Sequence, residues 1–499
     1  MNKGSLIIVG TSSGAGKSTV VTGLCRWLAR QGISVAPFKA QNMSLNSFVT
    51  ADGGEIGRAQ VVQAQAAGVA PEVIMNPVLL KPGTDTTSQM IVLGQPVGDL
   101  NAASGWAKKR ELLDLVVDAH RELRRRFDVV ICEGAGSPAE INLRARDIAN
   151  FGFARAAGVP AVLVGDIDRG GLFASLVGTL AVLEKEDQDL VRGFIVNKFR
   201  GAKELLQGGI DQLTTMTARP TFGVLPFRRG LEIDAEDATD ITAWLDVGAP
   251  LGPDVLSIGV IAFPRTSNLT DLDPLLDEPG VVLRPIYRPE EMRHCDLVIL
   301  PGTRATVSDL AWLRERGFSA PLVERAVTGR AILGVCGGYQ MLGSMIDDDV
   351  ESHAGRVEGL GLLPVRTRFQ QMKVLAQSQR ELADGTVIRG YEIHHGRVDV
   401  EGGEPFFADE GCALGSVAGT TWHGLFENDE WRRRYLVGVA EMTGKSFVPA
   451  SDHDFAQRRE TRIDALADLI DEHLDTDGIT ALLSDDARSS LPKVTLRLG

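Results

Sequence analysis

Leu333–Gly343 reads LGVCGGYQMLG, and the fold of the second half of the chain turns on it. The apolar run Ala331–Val335 has the composition of a buried strand, Cys336 follows at once, and after two glycines the pattern suits a helix. A strand, a sharp turn carrying a cysteine and a helix make a nucleophile elbow with sulfur in place of hydroxyl. Gly334 and Gly338 flank the cysteine because so strained a turn leaves no room for Cβ atoms. The helix start favours negative charge on the sulfur, and a cysteine placed this way attacks acyl groups. The plainer reading, a lone cysteine buried in a parallel strand, leaves the glycines on both sides unexplained.

A nucleophilic thiol needs a base. Of the eight histidines, His423 is the best placed, in Gly419-Thr-Thr-Trp-His-Gly-Leu-Phe-Glu427, a stretch that reads as strand and then turn. Elbow and histidine together resemble a class I glutamine amidotransferase domain, which strips ammonia from glutamine through a thioester. The resemblance implies Cys336 as nucleophile and His423 as its base. It implies an oxyanion hole built from the Gly302 region of Pro301-Gly302-Thr303 and the backbone N–H of Gly337. Most of that class carries an acid two residues after the histidine. Leu425 stands there in this chain, which leaves a Cys–His dyad and an unassigned orienting group.

The other end of the chain carries different chemistry. Ser5–Gly10 (SLIIVG) is a buried-strand pattern running into Thr11-Ser-Ser-Gly-Ala-Gly-Lys-Ser-Thr19. A standard phosphate loop has glycine where Thr11 stands; the rest fits. Gly14 and Gly16 let the backbone approach phosphates, Lys17 reaches the outer phosphates, and the Ser18 hydroxyl holds Mg²⁺, with Thr19 continuing into the helix. The Gly-Thr-x-x-Gly-x-Gly-Lys-Ser/Thr variant is similar to the dethiobiotin-synthetase-like branch of P-loop ATPases, whose members use ATP to activate small carboxylates or amines. Asp128–Gly136 (DVVICEGAG) is a buried strand ending in an acid, so Glu133 is the expected second Mg²⁺ ligand; capping of the next turn is the alternative. Lys39 ends the strand Ile33–Phe38 at the same rim. Asn197-Lys198, at the end of another strand, is reminiscent of purine recognition, the amide on the base edge and the lysine stem beside it. Polar residues this dense at strand carboxyl ends mark a ligand rim in an α/β sheet.

Strands alternating with helices of 10–15 residues predict a parallel, doubly wound sheet. The alternation lapses in the acidic, Pro/Gly-punctuated stretch 230–253 and restarts at Leu256. The expected organisation is therefore a P-loop ATP-dependent synthetase domain over 1–229, a linker over 230–253, a glutamine amidotransferase domain over 254–448, and a C-terminal helix and tail over 449–499. Both domains are of the α/β class.

The segments FKAQNMSLNS (38–47), GGEIGRAQ (53–60), NPVLLKP (76–82) and SQMIVLGQP (88–96) make the resemblance specific. With the elbow and His423, they resemble the cobyric acid synthase family of corrinoid biosynthesis over nearly the whole chain. That resemblance implies amidation of the b, d, e and g carboxylates of adenosylcobyrinic acid a,c-diamide, with glutamine, ATP and Mg²⁺. Cobyrinic acid a,c-diamide synthase and CTP synthase are the enzymatic alternatives. A nucleotide-dependent regulator related to partition ATPases would have no use for the elbow. Gly390–Arg397, with His394 and His395, matches a recurrent family stretch, as corrin contacts or as loop supports, with the second favoured.

Bulk composition sets the outer bounds. A chain of 499 residues with 44% hydrophobic and 24% charged residues suits two or more globular domains, and 55 glycines suit several tight strand–helix turns. A net charge of −14 repels phosphate backbones, which argues against nucleic acid as a partner. Five scattered cysteines argue against a disulfide framework, and no apolar run reaches the ~20 residues of a membrane span. The expected partners are glutamine and a corrinoid, with no membrane and no settled oligomer, and the expected location is the cytoplasm.

Overall fold

The computed structural model describes residues 3–83, 87–101, 109–231, 249–484 and 490–495. Its first sheet is parallel and six-stranded: Gly4–Gly10 (β1), Val35–Phe38 (β2), Val129–Glu133 (β3), Ala161–Asp166 (β4), Val191–Phe199 (β5) and Thr221–Pro226 (β6). The spatial order β6-β5-β4-β1-β3-β2 reverses direction at β1, so the carboxyl ends of β1 and its neighbours open a crevice. Every residue of β1 and β3 is buried, as continuous apolar runs in a sheet covered on both faces require. Helices Lys17–Arg30 (α1), Arg58–Ala66 (α2) and Lys109–Arg126 (α3) belong to this half.

The second sheet is also doubly wound. Leu256–Ile261 (β7), Val281–Ile286 (β8), Leu297–Leu300 (β9) and Ala331–Val335 (β10) are parallel, and a long hairpin follows, Val365–Glu381 (β11) with Val387–Val400 (β12). Cys412–Leu414 (β13) and Val417–Thr420 (β14) complete the sheet in the order β8-β7-β9-β10-β14-β13, with only β13 antiparallel. Helix Gly337–Leu342 (α4) follows β10 directly.

Val78–Pro82 and Thr87–Val92 lie outside the first parallel sheet; with Gln41–Met43 and Gln95–Asn101 they form a separate, largely antiparallel sheet. The cause is local: Leu93 and Gly94 both have positive φ, 46° and 78°, the requirement of a two-residue hairpin turn. The strand expected from Ile33 starts at Val35, because the Ile33 N–H closes the end of α1 by donating to Leu28.

In the C-terminal part, Phe455–His473 (α5) is a helix that packs back on the first half of the chain. Ile470 and Leu466 seat against Gly23 of α1, where a Cβ would come within 2.7 Å of Ile470 Cγ1. Both residues join one apolar core with Leu6, Ile8 and Val20. Arg30 pairs with Asp464 at 2.8 Å and with Asp468 at 2.6 Å. After α5, Thr476–Ala481 is helical, and Ile479 and Leu483 are buried in the same core. Most of the expected linker, residues 232–248, lies outside the described residues. Among the described residues no helix is long and apolar enough to cross a membrane.

Candidate active sites

The elbow forms as the glycines demand. Cys336 sits between β10 and α4 with φ 49° and ψ −108°, a conformation strained for a residue with a side chain. A Cβ on Gly334 would meet Tyr339 Cα at 2.6 Å, and one on Gly338 would meet the Leu300 carbonyl oxygen at 2.0 Å. Only glycine at both positions lets α4 fold back over β9 and β10. Register places β14 beside β10, Val335 opposite Thr420, and this brings the histidine turn to the cysteine.

His423 is 1% exposed and lines the same cavity as Cys336. Its Nδ1 lies 2.7 Å from Asp271 Oδ2, while the other oxygen of Asp271 accepts a 2.8 Å bond from the Gly424 N–H. Burial alone would lower the pKa of His423, but Asp271 and Cys336 override it and raise the imidazole from 6.5 to about 10. Asp271 is the orienting acid that sequence reasoning missed. It stands in the turn after β7 rather than two residues past the histidine, and Leu425 is packed in the core instead. The one available signal was an acid beyond the carboxyl end of a strand close to β10 in the sheet.

Gly302 and Gly337 are brought together around the same sulfur. A Cβ on Gly302 would lie 3.1 Å from His423 Cε1, and one on Gly337 would lie 3.2 Å from the Thr303 nitrogen. The cavity in front of Cys336 is lined by His423, Arg304, Glu351 and His395, and by Lys81 from the first half of the chain. Nearby, fully buried Glu55 accepts bonds from Lys81 at 2.7 Å and from Lys373 of β11 at 2.6 Å, joining the two halves. His394 is tied to Gly396 O and Glu392, a supporting role; His395 bonds Gln370 O through Nδ1 while its other ring nitrogen is buried beside the cavity.

The phosphate loop assembles at the crevice of the first sheet. Lys17 donates to the carbonyls of Ser12 at 3.0 Å, Ser13 at 3.3 Å and Gly136 at 3.0 Å. The Ser18 hydroxyl donates to Glu133 Oε1 at 2.9 Å, Lys39 Nζ to the same oxygen at 2.8 Å, and Gln63 Nε2 to Oε2. Burial would raise the Glu133 pKa, yet the Lys39 ammonium and Lys17 hold it below the usual carboxylate value. Gly16 has φ 93°, and a Cβ there would strike the Asn197 amide at 2.0 Å. Asn197 donates to Ala15 O at 2.9 Å; Lys198 donates to Gly14 O at 2.7 Å and pairs with Asp166 at 3.0 Å. Both residues thus brace the phosphate loop from β5. Thr19 lies half-buried in the first turn of α1. Among the described residues no cluster of three or more His, Cys, Asp or Glu is set up to hold a metal. One carboxylate and one hydroxyl beside a phosphate loop suit Mg²⁺, which takes few protein ligands and completes its shell with phosphates and water.

A thiol triad in one α/β domain and a phosphate loop in the other define an ATP-dependent glutamine amidotransferase. The comparisons agree. Residues 6–240 match the CobQ/CobB/MinD/ParA nucleotide binding domain and residues 257–431 the CobB/CobQ-like glutamine amidotransferase domain. The chain is 56% identical to the cobyric acid synthase of Streptomyces avermitilis, covering 98% of each chain. It is 55% identical to that of Streptomyces coelicolor at the same coverage, and 52% to that of Mycolicibacterium paratuberculosis over 99% of each. The chain belongs to the cobyric acid synthase family.

Proposed function

We propose that the protein amidates the b, d, e and g side-chain carboxylates of adenosylcobyrinic acid a,c-diamide, consuming glutamine and ATP with Mg²⁺. The observation that carries the reading is the cavity shared by Cys336 and His423 of one domain and Lys81 of the other, because it joins an ammonia-producing site to the ATP-using half. The family membership supplies the acceptor.

The Cys336 thiolate attacks the glutamine amide carbon. The resulting oxyanion is held by backbone N–H groups of the Gly302 loop and Gly337. His423, kept in one orientation by Asp271, gives its proton to the departing ammonia and later takes one from the hydrolytic water. In the other domain Lys17 and the loop amides hold the ATP phosphates while the γ-phosphoryl group passes to a carboxylate of the substrate. Ser18 and Glu133 are the residues to hold Mg²⁺, which neutralises charge on the phosphates when bound. Lys39 keeps Glu133 ionised for that purpose. Ammonia then displaces phosphate and leaves the amide.

The deciding experiment is a product mass assay with ATP, Mg²⁺, glutamine and adenosylcobyrinic acid a,c-diamide. Each conversion replaces a hydroxyl by an amino group and lowers the mass accordingly. Four successive shifts are expected. Glutamine hydrolysis without any shift would overturn the acceptor while leaving the amidotransferase chemistry standing.

A further inference from the structure

The GGEIGRAQ segment carries a residue that the two sites leave unexplained. Arg58, at the start of α2 and 3% exposed, belongs to the ATP domain, yet it reaches the glutaminase histidine by two routes. Its Nη2 donates a 2.8 Å bond to Oε1 of Glu427, in the single turn Leu425–Glu427 that follows His423 and Gly424. Its guanidinium carbon also lies 5.4 Å from the centre of the Phe48 ring. Phe48 packs on Tyr391 at 4.7 Å between ring centres, and Tyr391 stacks on the His423 imidazole at 5.4 Å. Tyr391 and His423 also exchange both backbone hydrogen bonds, at 3.1 and 2.8 Å.

The same helix touches the nucleotide site. Gln63, five positions further along α2, donates to Glu133, whose other oxygen receives Ser18 and Lys39. A nine-residue helix moves as one body. Nucleotide and Mg²⁺ arriving at Ser18 and Glu133 must compete with the groups already on that carboxylate, and Gln63 is the one that α2 carries. A ligand that binds one arrangement of α2 better than another shifts its population.

We propose that Arg58 is a positioning residue for His423, and that α2 carries the state of the nucleotide site to the glutaminase through it. This rests on the amidotransferase reading above. Arg58 opens α2 and Gln63 stands five residues further along the same helix; Glu427 and Phe48 receive its motion on the two sides of the histidine turn.

The test compares full-length wild type with Arg58→Ala, Arg58→Lys and Glu427→Gln. Glutamate release is read with and without ATP and Mg²⁺, and amidation with ammonium salt in place of glutamine. The Nε2 and Cε1 resonances of His423 are followed against pH in protein without nucleotide. Arg58→Ala is expected to lower kcat for glutamine about tenfold, the size of one lost charge-assisted hydrogen bond, with KM within about twofold. It is expected to abolish the response to nucleotide, shift the His423 titration and keep ammonium-supported amidation, which also shows that the ATP domain is folded. Arg58→Lys restores part of kcat through its charge on Glu427, and Glu427→Gln, which also weakens the Arg459 contacts at 3.3 and 3.5 Å, reproduces the defect from the side of the histidine turn. Unchanged His423 titration in Arg58→Ala, a nucleotide response that persists, or a parallel fall of ammonium-supported amidation each overturns the proposal. A wild type that releases no glutamate fails the functional reading instead, and the resonances still decide whether Arg58 positions His423.

Discussion

Asp271 and His423 stand 152 residues apart in sequence and 2.7 Å apart in space. Asp271 holds the histidine turn at two points, the imidazole and the Gly424 N–H. The pair turns a cysteine–histidine dyad into a triad. Asp271→Asn is expected to lower glutamine-dependent amidation by about 10²–10⁴-fold, the effect of losing the orienting acid of a triad. Ammonium-supported amidation should stay near wild type. Parallel rate assays with the two nitrogen sources check this; an equal fall in both would remove Asp271 from the glutaminase.

Cys336→Ala removes the proposed nucleophile and is expected to leave the ATP domain intact. Glutamine-dependent amidation should vanish, no thioester should form, and ammonium salt should restore product. A mass spectrum of the protein after brief exposure to glutamine checks for the acyl-enzyme in wild type and its absence in the variant.

Glu133→Gln acts on the opposite side. It leaves the buried Lys39 ammonium facing a neutral amide, in a pair that is 2% and 0% exposed. Breaking such a pair costs about 3–5 kcal/mol. Amidation should fall with glutamine and with ammonium alike, unlike Asp271→Asn, and urea unfolding should show the loss of stability.

His423 gives a pH dependence with a defined sign. Its pKa is raised on folding from 6.5 to about 10. The bound proton therefore adds stability that is full below pH 6.5, shrinks above it, and is gone once the pH passes about 10. Denaturant unfolding between pH 7 and 10 should show a decline in wild type that His423→Gln lacks.

Ile470→Ala should destabilise the ATP domain by about 2–5 kcal/mol, the cost of a buried isoleucine truncated to alanine, although residue 470 follows the amidotransferase domain in sequence. Calorimetry with and without ATP locates the weakened transition: the one that nucleotide raises should be the one that moves.

The elbow and the phosphate loop were legible because each is a local pattern in which glycine, strand and helix occur within a dozen residues. The two parallel sheets followed from alternation. Asp271 was not legible, since its role depends on strand order and on which turns meet at the carboxyl edge of the sheet, and neither is written in spacing near His423. The separate antiparallel sheet hinged on the backbone of Leu93 and Gly94, a two-residue signal inside a long apolar stretch. The seat of α5 was hidden for another reason: its apolar stripe says that it packs, but only Gly23 on α1 says where.

That seat sets an order of events during synthesis. The ATP domain begins the chain, yet its core stays open along α1 until residues 455–474 have been made, after the whole of the glutaminase domain. The strands that carry the elbow are thus available to fold while the phosphate-binding half still lacks one wall. The later segment closes on the earlier one like a clasp, so the core of the ATP domain can be completed only after the glutaminase part of the chain has been synthesised.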